Sequence, residues 1–458
     1  MRQHTKRTIA LASVVALALV GCSGGEDDPE DEAAGATETD TETEDESEPE
    51  AEATDEAAVE GTITLWHIQT EEADQALIND AVARYEADNP GVDVEVTAIE
   101  NESYKTQIRV AIGAGEAPCI FPTWGGGTLA EYVEADQVVD LTDHVEADGY
   151  KDRFVDASWS VVTVDDRIYA VPVENSAAAL IWYHKGLMAE HGVEPPETWD
   201  DLLQAVETFN EAGVTAFALA NQAPWTGSMY YMYLVDRLGG PEVFTSAATR
   251  TGGSFEDPVF IEAGERLQEL IEIGAFNEGI NALSWDAGES RQLLYAGEAA
   301  MELMGNWNIN IFKGENEEFF EENIGVMPFP AIEDGEGDPT NVVGTIGDNF
   351  YAVASTCELP DQAFEVIQYM IDDESVAARI DNGRIPPVKS YEPADEITGD
   401  VFQILQEADS VQLWYDQFLP PELAQVHLET TQALYGLQMT PEEAAAQMEA
   451  AAVEYFGE

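Results

Sequence analysis

Three tryptophans recur in one setting along this chain, each just after a short apolar run and beside small or polar residues. They are Trp124 before Gly125-Gly126-Gly127, Trp225 after Ala223-Pro224, and Trp307 between Asn306 and Asn308. A tryptophan held at a strand end offers a ligand a flat apolar face, and neighbouring glycines let backbone approach it closely. Any one of them alone is more simply a core residue. Three in loops after strands point to a binding surface at the strand ends, where open α/β sheets place their ligands. Polar groups able to hydrogen-bond in pairs gather at Glu174-Asn175-Ser176, which splits two apolar runs, residues 168–173 and 178–183. The runs read as buried strands. The break reads as a crossing from one sheet into another, its polar groups exposed at the floor of a cleft between two domains. An ordinary hairpin is the alternative. No glycine-rich nucleotide loop, zinc-ligand spacing or Ser-His-Asp arrangement accompanies these residues, and carboxylates are too abundant to single out a hydrolytic pair.

The elements that must position these residues follow from local pattern. Residues 62–66 read as a strand, and a helix follows with Leu77, Ile78, Ala81, Val82 and Tyr85 on one face, stopped at Asn89-Pro90-Gly91. Residues 92–99 alternate strictly as a second strand, residues 104–112 are helical, and residues 119–123 form a third strand that runs into Trp124. This βαβα order begins a wound α/β sheet. Beyond the polar break, Thr198 caps a helix with Leu202, Leu203, Val206 and Phe209 on one side, and residues 217–220 and 299–304 return as strands. At 458 residues the chain exceeds the ~250–300 that one core sustains, so two domains are expected.

The N-terminal segment is of another kind. Arg2, Lys6 and Arg7 precede an apolar run, residues 8–20, too short to span a bilayer comfortably, and this reads as a secretory signal peptide. It ends in Leu19-Val20-Gly21-Cys22, which resembles the lipobox of bacterial lipoproteins, so residues 1–22 are expected to end at a lipidated Cys22 that anchors the chain to the outer face of the cell membrane. Residues 23–60 carry 18 acidic residues and no Lys, Arg or aromatic residue, the composition of a disordered tether. The formal net charge is -74, and residues 61–458 hold 74 acidic against 15 basic residues, a balance near -59. Spread this evenly, the charge reads as a surface adapted to high salt, where self-repulsion is screened, and it excludes nucleic acid as a partner.

Taken in order, several segments resemble the family 1 extracellular solute-binding proteins, the maltose-binding-protein-like components of ABC sugar importers. They are TWGGG at 123–127, YAVPVEN before IWYHKGLM, PETWDDLL, AGEAAMELMGNW, GVMPFP, VGTIGDNFYAVAS and NGRIPPVKSYE, together covering about residues 61–458. The resemblance implies an α/β, type II periplasmic-binding fold: two wound α/β domains joined by a three-segment hinge crossing near residues 174–176, 344–349 and 391–396. Domain one would comprise 61–173 and 349–392, and domain two 177–343 and 396–458. The implied function is capture of a mono- or oligosaccharide in the interdomain cleft by a monomeric lipoprotein, without cofactor, metal or catalysis, and delivery to ABC permease subunits. Trp-Gly-Gly-Gly departs from the charged residues that the maltose-binding protein uses in that loop, so maltodextrin specificity is not carried over.

A sugar presents apolar C–H faces and a ring of hydroxyls, so its site needs aromatic platforms and paired hydrogen-bonding groups. Trp225 and Trp307 match aromatic ligand positions of the family; Trp124 and Trp414 are the further candidate platforms. Glu174, Asn175, Asp348, Asn349 and Asp416 are the candidate hydrogen-bonding groups, with His67, Glu71 and Arg384 expected at the rim. A secreted glycoside hydrolase, or a receptor for another small polar solute such as an amino acid or polyamine, are the alternatives. Export also makes the two remaining cysteines, Cys119 and Cys357, a possible disulfide, because in the family's fold the strand bearing one returns antiparallel beside the strand bearing the other. Two buried unpaired thiols are the other possibility.

Overall fold

Strict alternation along β1 (Gly61–His67) buries Ile63, Leu65 and His67 on one face, and β1 lies parallel between β2 (Val92–Ala98) and β3 (Ile120–Thr123). The computed structural model describes residues 59–457. The expected signal segment, Cys22 and all but the last two residues of the 23–60 stretch lie outside those residues. Helices Glu72–Asp88 and Asn101–Ala114 make the crossovers between the parallel strands, as right-twisted βαβ units require.

After a small hairpin, β4 (Thr163–Val164) and β5 (Arg167–Ile168), comes the long strand β6 (Ala170–His184). Its 15 residues span ~50 Å at ~3.3 Å each, more than twice a usual strand. The chain continues through β7 (Thr215–Phe217), β8 (Ala299–Gly305) and β9 (Ile324–Met327) to a second long strand, β10 (Val342–Val353), and a short β11 (Val411–Gln412). The sheet order is β2-β1-β3-β10-β6-β8-β7, with β9 also on β6 and β11 on β10. Residues 350–353 of β10 pair with β3, and residues 350–352 also pair with Ala170–Pro172 of β6. Further along, Gly344 and Thr345 pair with Ala178 and Ala177, after which β6 goes on to β8 and β9.

The polar break at Glu174–Ser176 therefore does not end a strand: β6 runs straight through it, passing from pairing with β10 on one side to pairing with β8 and β9 on the other. Nor are its side chains exposed. Glu174, Asn175 and Ser176 are buried, at 0%, 4% and 6% exposure. The irregularity lies on the partner strand instead, where the β10 register shifts on both sides of Asp348. Gly347 (φ 88°) and Asn349 (φ 50°) take left-handed backbone there, and a Cβ on Gly347 would sit 2.7 Å from the Pro172 side chain. Such a bulge bends the strand and turns the side chains beside it.

In the second half, helix Trp225–Gly239 is the central packing element: every residue from Thr226 to Leu238 is buried. Helix Trp199–Ala212 starts at a Thr198 capping box closed by Asp201. Cys119, just before β3, and Cys357, just after β10, are joined as a disulfide with their Cα atoms 4.7 Å apart.

Candidate functional site

One cavity of about 180 Å³ opens where the strand ends of the two halves face each other across the β6–β10 crossing. Its floor includes Asn175 and the bulge residues Asp348 and Asn349. One wall comes from the turn after β1, from helix residue Asp74, from Glu100–Lys105 and from Trp124; the other comes from Trp225, Trp285, Asp286, Trp307, Asn310 and residues 414–417.

Glycine chemistry places the first tryptophan. A Cβ on Gly125, Gly126 or Gly127 would run into the backbone oxygens of Val161, Gln417 and Leu419, so only glycines let helix Gly126–Glu134 pack onto the 415–419 segment. Trp124 is thereby held on this wall, edge-on to Tyr104 at 6.0 Å. Gly126 and Gly127 belong to that helix rather than to a loop, and Trp225 opens its own helix. The other four tryptophans of the lining form a chain of edge contacts: Trp285 to Trp225 at 5.2 Å, Trp225 to Trp307 at 6.1 Å, Trp307 to Trp414 at 5.8 Å. Trp124 and Trp225 face a common neighbour, the Lys105 ammonium, which lies 5.4 Å from each ring centre. Lys105 is paired with Glu102 at 3.0 Å, and the same Glu102 oxygen accepts the Trp225 indole N–H at 3.1 Å.

Beneath the floor lies a buried ion network. Glu174 accepts Arg384 at 2.7 Å and Arg379 at 3.4 Å, and Arg384 also reaches Asp74 at 3.0 Å and the Gln69 amide oxygen at 2.9 Å. Burial works against the Glu174 anion, but the two guanidiniums outweigh it and hold the carboxyl below its usual range. The Asn175 side-chain oxygen accepts the Ile385 N–H at 2.7 Å, so the polar break anchors the 384–385 segment. Glu174 and His67 thus lie below the cavity rather than in its lining. His67 is 1% exposed, its imidazole pKa lowered by burial, and Arg384, though it lines the cavity, is 5% exposed, so neither is a rim residue. Trp124, Trp225, Trp307, Trp414, Glu71, Asn175, Asp348, Asn349 and Asp416 all line the cavity.

Three carboxyls there are displaced upward, Asp416 among them through its burial. Burial first of all pushes Asp348 up to about 7. Asp286 also rises to about 7, through burial and then a hydrogen bond with Glu100, whose anion is held at about 2 against burial by Asp286 and by the N–H groups of Glu102 and Ser103. Several buried polar atoms on lining residues have no protein partner: the Trp285 and Trp307 indole N–H groups and side-chain oxygens of Asn310, Asp348 and Asn349. Buried polar atoms are normally paired, so these unpaired groups stand out among the residues of the lining. Among the described residues no group of three or more His, Cys, Asp or Glu side chains could hold a metal ion.

Sequence reasoning missed Lys105, Trp285, Asp286 and Asn310. Asn310 had a faint signal, two residues beyond Asn308 in the segment after Trp307. The others sit mid-helix or in a loop that follows no strand.

The profile of the bacterial extracellular solute-binding protein family matches residues 68–377, over half of the chain. This chain belongs to that family. As a solute-binding protein it resembles an uncharacterised ABC transporter extracellular-binding protein of Pyrococcus horikoshii, 26% identical over 59% of this chain and 60% of that one. It also resembles the xylose/arabinose-binding protein XacG of Haloferax volcanii, 24% identical over 57% of this chain and 56% of that one. The chain therefore spans less than two thirds of either relative. A solved structure from work on xylan utilization by Caldanaerobius polysaccharolyticus matches with a TM-score of 0.80 at 30% identity, over 85% of this solute-binding protein and 99% of the other chain. The fold is the type II periplasmic-binding fold.

Proposed function

We propose that this solute-binding protein captures a mono- or oligosaccharide in the cavity and delivers it to the membrane permease of an ABC importer. The observation that carries this reading is the ring of tryptophans around unpartnered hydrogen-bonding atoms on one cavity. Flat indole faces suit the C–H faces of pyranose rings, and the open acceptors and donors suit hydroxyls. Trp124, Trp225, Trp307 and Trp414 act as platforms in this reading, and Glu71, Asn175, Asp348, Asn349 and Asp416 as polar contacts. Glu174, with Arg384 and Arg379, braces the floor. Relatives whose names speak of xylose, arabinose and xylan support a glycan ligand.

The two halves act as domains, 61–173 with 349–392 and 177–343 with 396–458, bending where β6 and β10 pass between them. The protein is a monomer outside the cytoplasm, tethered through a lipidated Cys22 and the acidic 23–60 segment.

Turnover is no part of this function. The family profile that the chain matches is one of binding proteins, and this supports binding without hydrolysis. The test is thermal unfolding of the purified protein in high salt against a panel of mono- and oligosaccharides. The bound sugar raises Tm through linkage and is recovered unshortened. A panel with no stabilising sugar, or the appearance of shorter products, would overturn the reading.

A further inference from the structure

We propose that the cavity selects glycans without charge, and that Lys105 is the residue that excludes the cationic ones; the proposal rests on the glycan-binding reading above. Three cations line the cavity, Lys105, Arg291 and Arg384. All three are engaged. Arg384 spans Glu174 and Asp74. Arg291 forms a forked pair with Glu315, its Nε and Nη2 at 3.1 and 2.9 Å, and gives its remaining Nη1 to the Trp285 carbonyl at 3.1 Å. Lys105 is held by Glu102 between two indole rings.

An acidic sugar that took Arg384 would leave Glu174 or Asp74 unsatisfied in a dry place, which is strongly unfavourable, and one that took Lys105 or Arg291 would compete with the carboxylate already paired there. It would also lie beside the ionised Glu100 carboxylate on the same lining, a charge of its own sign.

A basic sugar meets the opposite obstacle. Carboxylates and indole faces are together the recognition elements for an organic cation, and this lining has both. Yet the slot between Trp124 and Trp225 already holds an ammonium, that of Lys105. Its charge also reaches Asp286, Asp348 and Asp416, where it favours the ionised carboxyl against burial. A second cation placed there would be repelled by the Lys105 ammonium. An uncharged glycan disturbs none of these pairs. Its hydroxyls can donate to the open oxygens of Asp348, Asn349 and Asn310 and accept from the indole N–H groups of Trp285 and Trp307.

The experiment is calorimetric titration, at about pH 6 and constant high salt, of the wild type, Lys105→Gln and Lys105→Arg. The probes are neutral xylo- and gluco-oligosaccharides, the same chains bearing a glucuronic acid branch, and glucosamine oligomers of matched length. The wild type is expected to bind a neutral chain at least roughly tenfold more tightly than either charged partner, the scale of one like-charge contact at intermediate dielectric. Lys105→Gln should gain glucosamine oligomers by a similar factor without gaining the acidic chains, and Lys105→Arg should keep the wild-type order. Acidic chains bound as tightly as neutral ones would overturn the charge selection. An unchanged ratio in Lys105→Gln, or equal losses in both variants with unfolding unaltered, would remove Lys105 as the residue that excludes cations. Binding of no probe by folded wild-type protein would instead overturn the glycan reading itself.

Discussion

Asp348 stands on the β10 bulge, 7% exposed, with Glu174 raising its pKa further and Arg384 and Lys105 opposing them. Its carboxyl moves from an ordinary 3.8 to about 7, so the fold favours the neutral form. The sign follows: the contribution of Asp348 to stability is fully present below pH ~4 and is lost as pH rises through about 7, a change on the order of a few kcal/mol. Asp348→Asn lacks this slope, so its stability relative to wild type should improve by that order between pH 4 and 8, measured by denaturant unfolding. A sugar that donates hydroxyl hydrogen bonds to this carboxylate favours the anion. Wild-type affinity should then rise with pH through about 7, with proton release seen by calorimetry in buffers of different ionisation enthalpy. Trp307 touches both Trp225 and Trp414, and Trp307→Ala should weaken sugar binding by ~1–3 kcal/mol through lost stacking and burial. Equal affinity would take this indole out of the site.

Among the elements, β6 and β10 carry the architecture because each is long enough to pair with strands of both halves. What ties β10 to β3 beyond their hydrogen bonds is the Cys119–Cys357 bridge, closing a loop of sequence separation 238. A loop that long restricts the unfolded chain strongly in principle, though observed gains centre on ~2–4 kcal/mol. Thiol titration of residues 59–458, denatured and unreduced, should find no free thiol, and the Cys119→Ser, Cys357→Ser double variant should lose stability on that scale. Two reactive thiols would eliminate the bridge.

Over the whole molecule, charge sets the response to the solvent. A balance near -59 over residues 61–458 repels itself when unscreened, and ion pairs such as Arg84–Asp372 and Arg250–Glu449 leave that excess of acid in place. Melting temperature should climb from low to molar salt as the Debye length shrinks from ~10 Å toward ~3 Å. A flat profile would mean the acidity serves another purpose.

What the sequence determined by itself was whatever depends on neighbours along the chain. The alternation of residues 92–98, the Thr198 cap and the apolar faces of the first helices specify elements because side chains a few residues apart share a face or a turn. Trp124, Trp225 and Trp307 were legible for the same reason, each marked by the strand before it. Only the tertiary structure decided the rest. Glu174 read as an exposed hinge residue because its counterions, Arg379 and Arg384, lie more than two hundred residues away, and burial of a carboxylate becomes tolerable only once they converge on it. Lys105 is one cation on a helix, with nothing in its local sequence to set it apart. It lines the cavity because helix Asn101–Ala114 and helix Trp225–Gly239 meet there, placing its ammonium between two indoles that no local pattern connects.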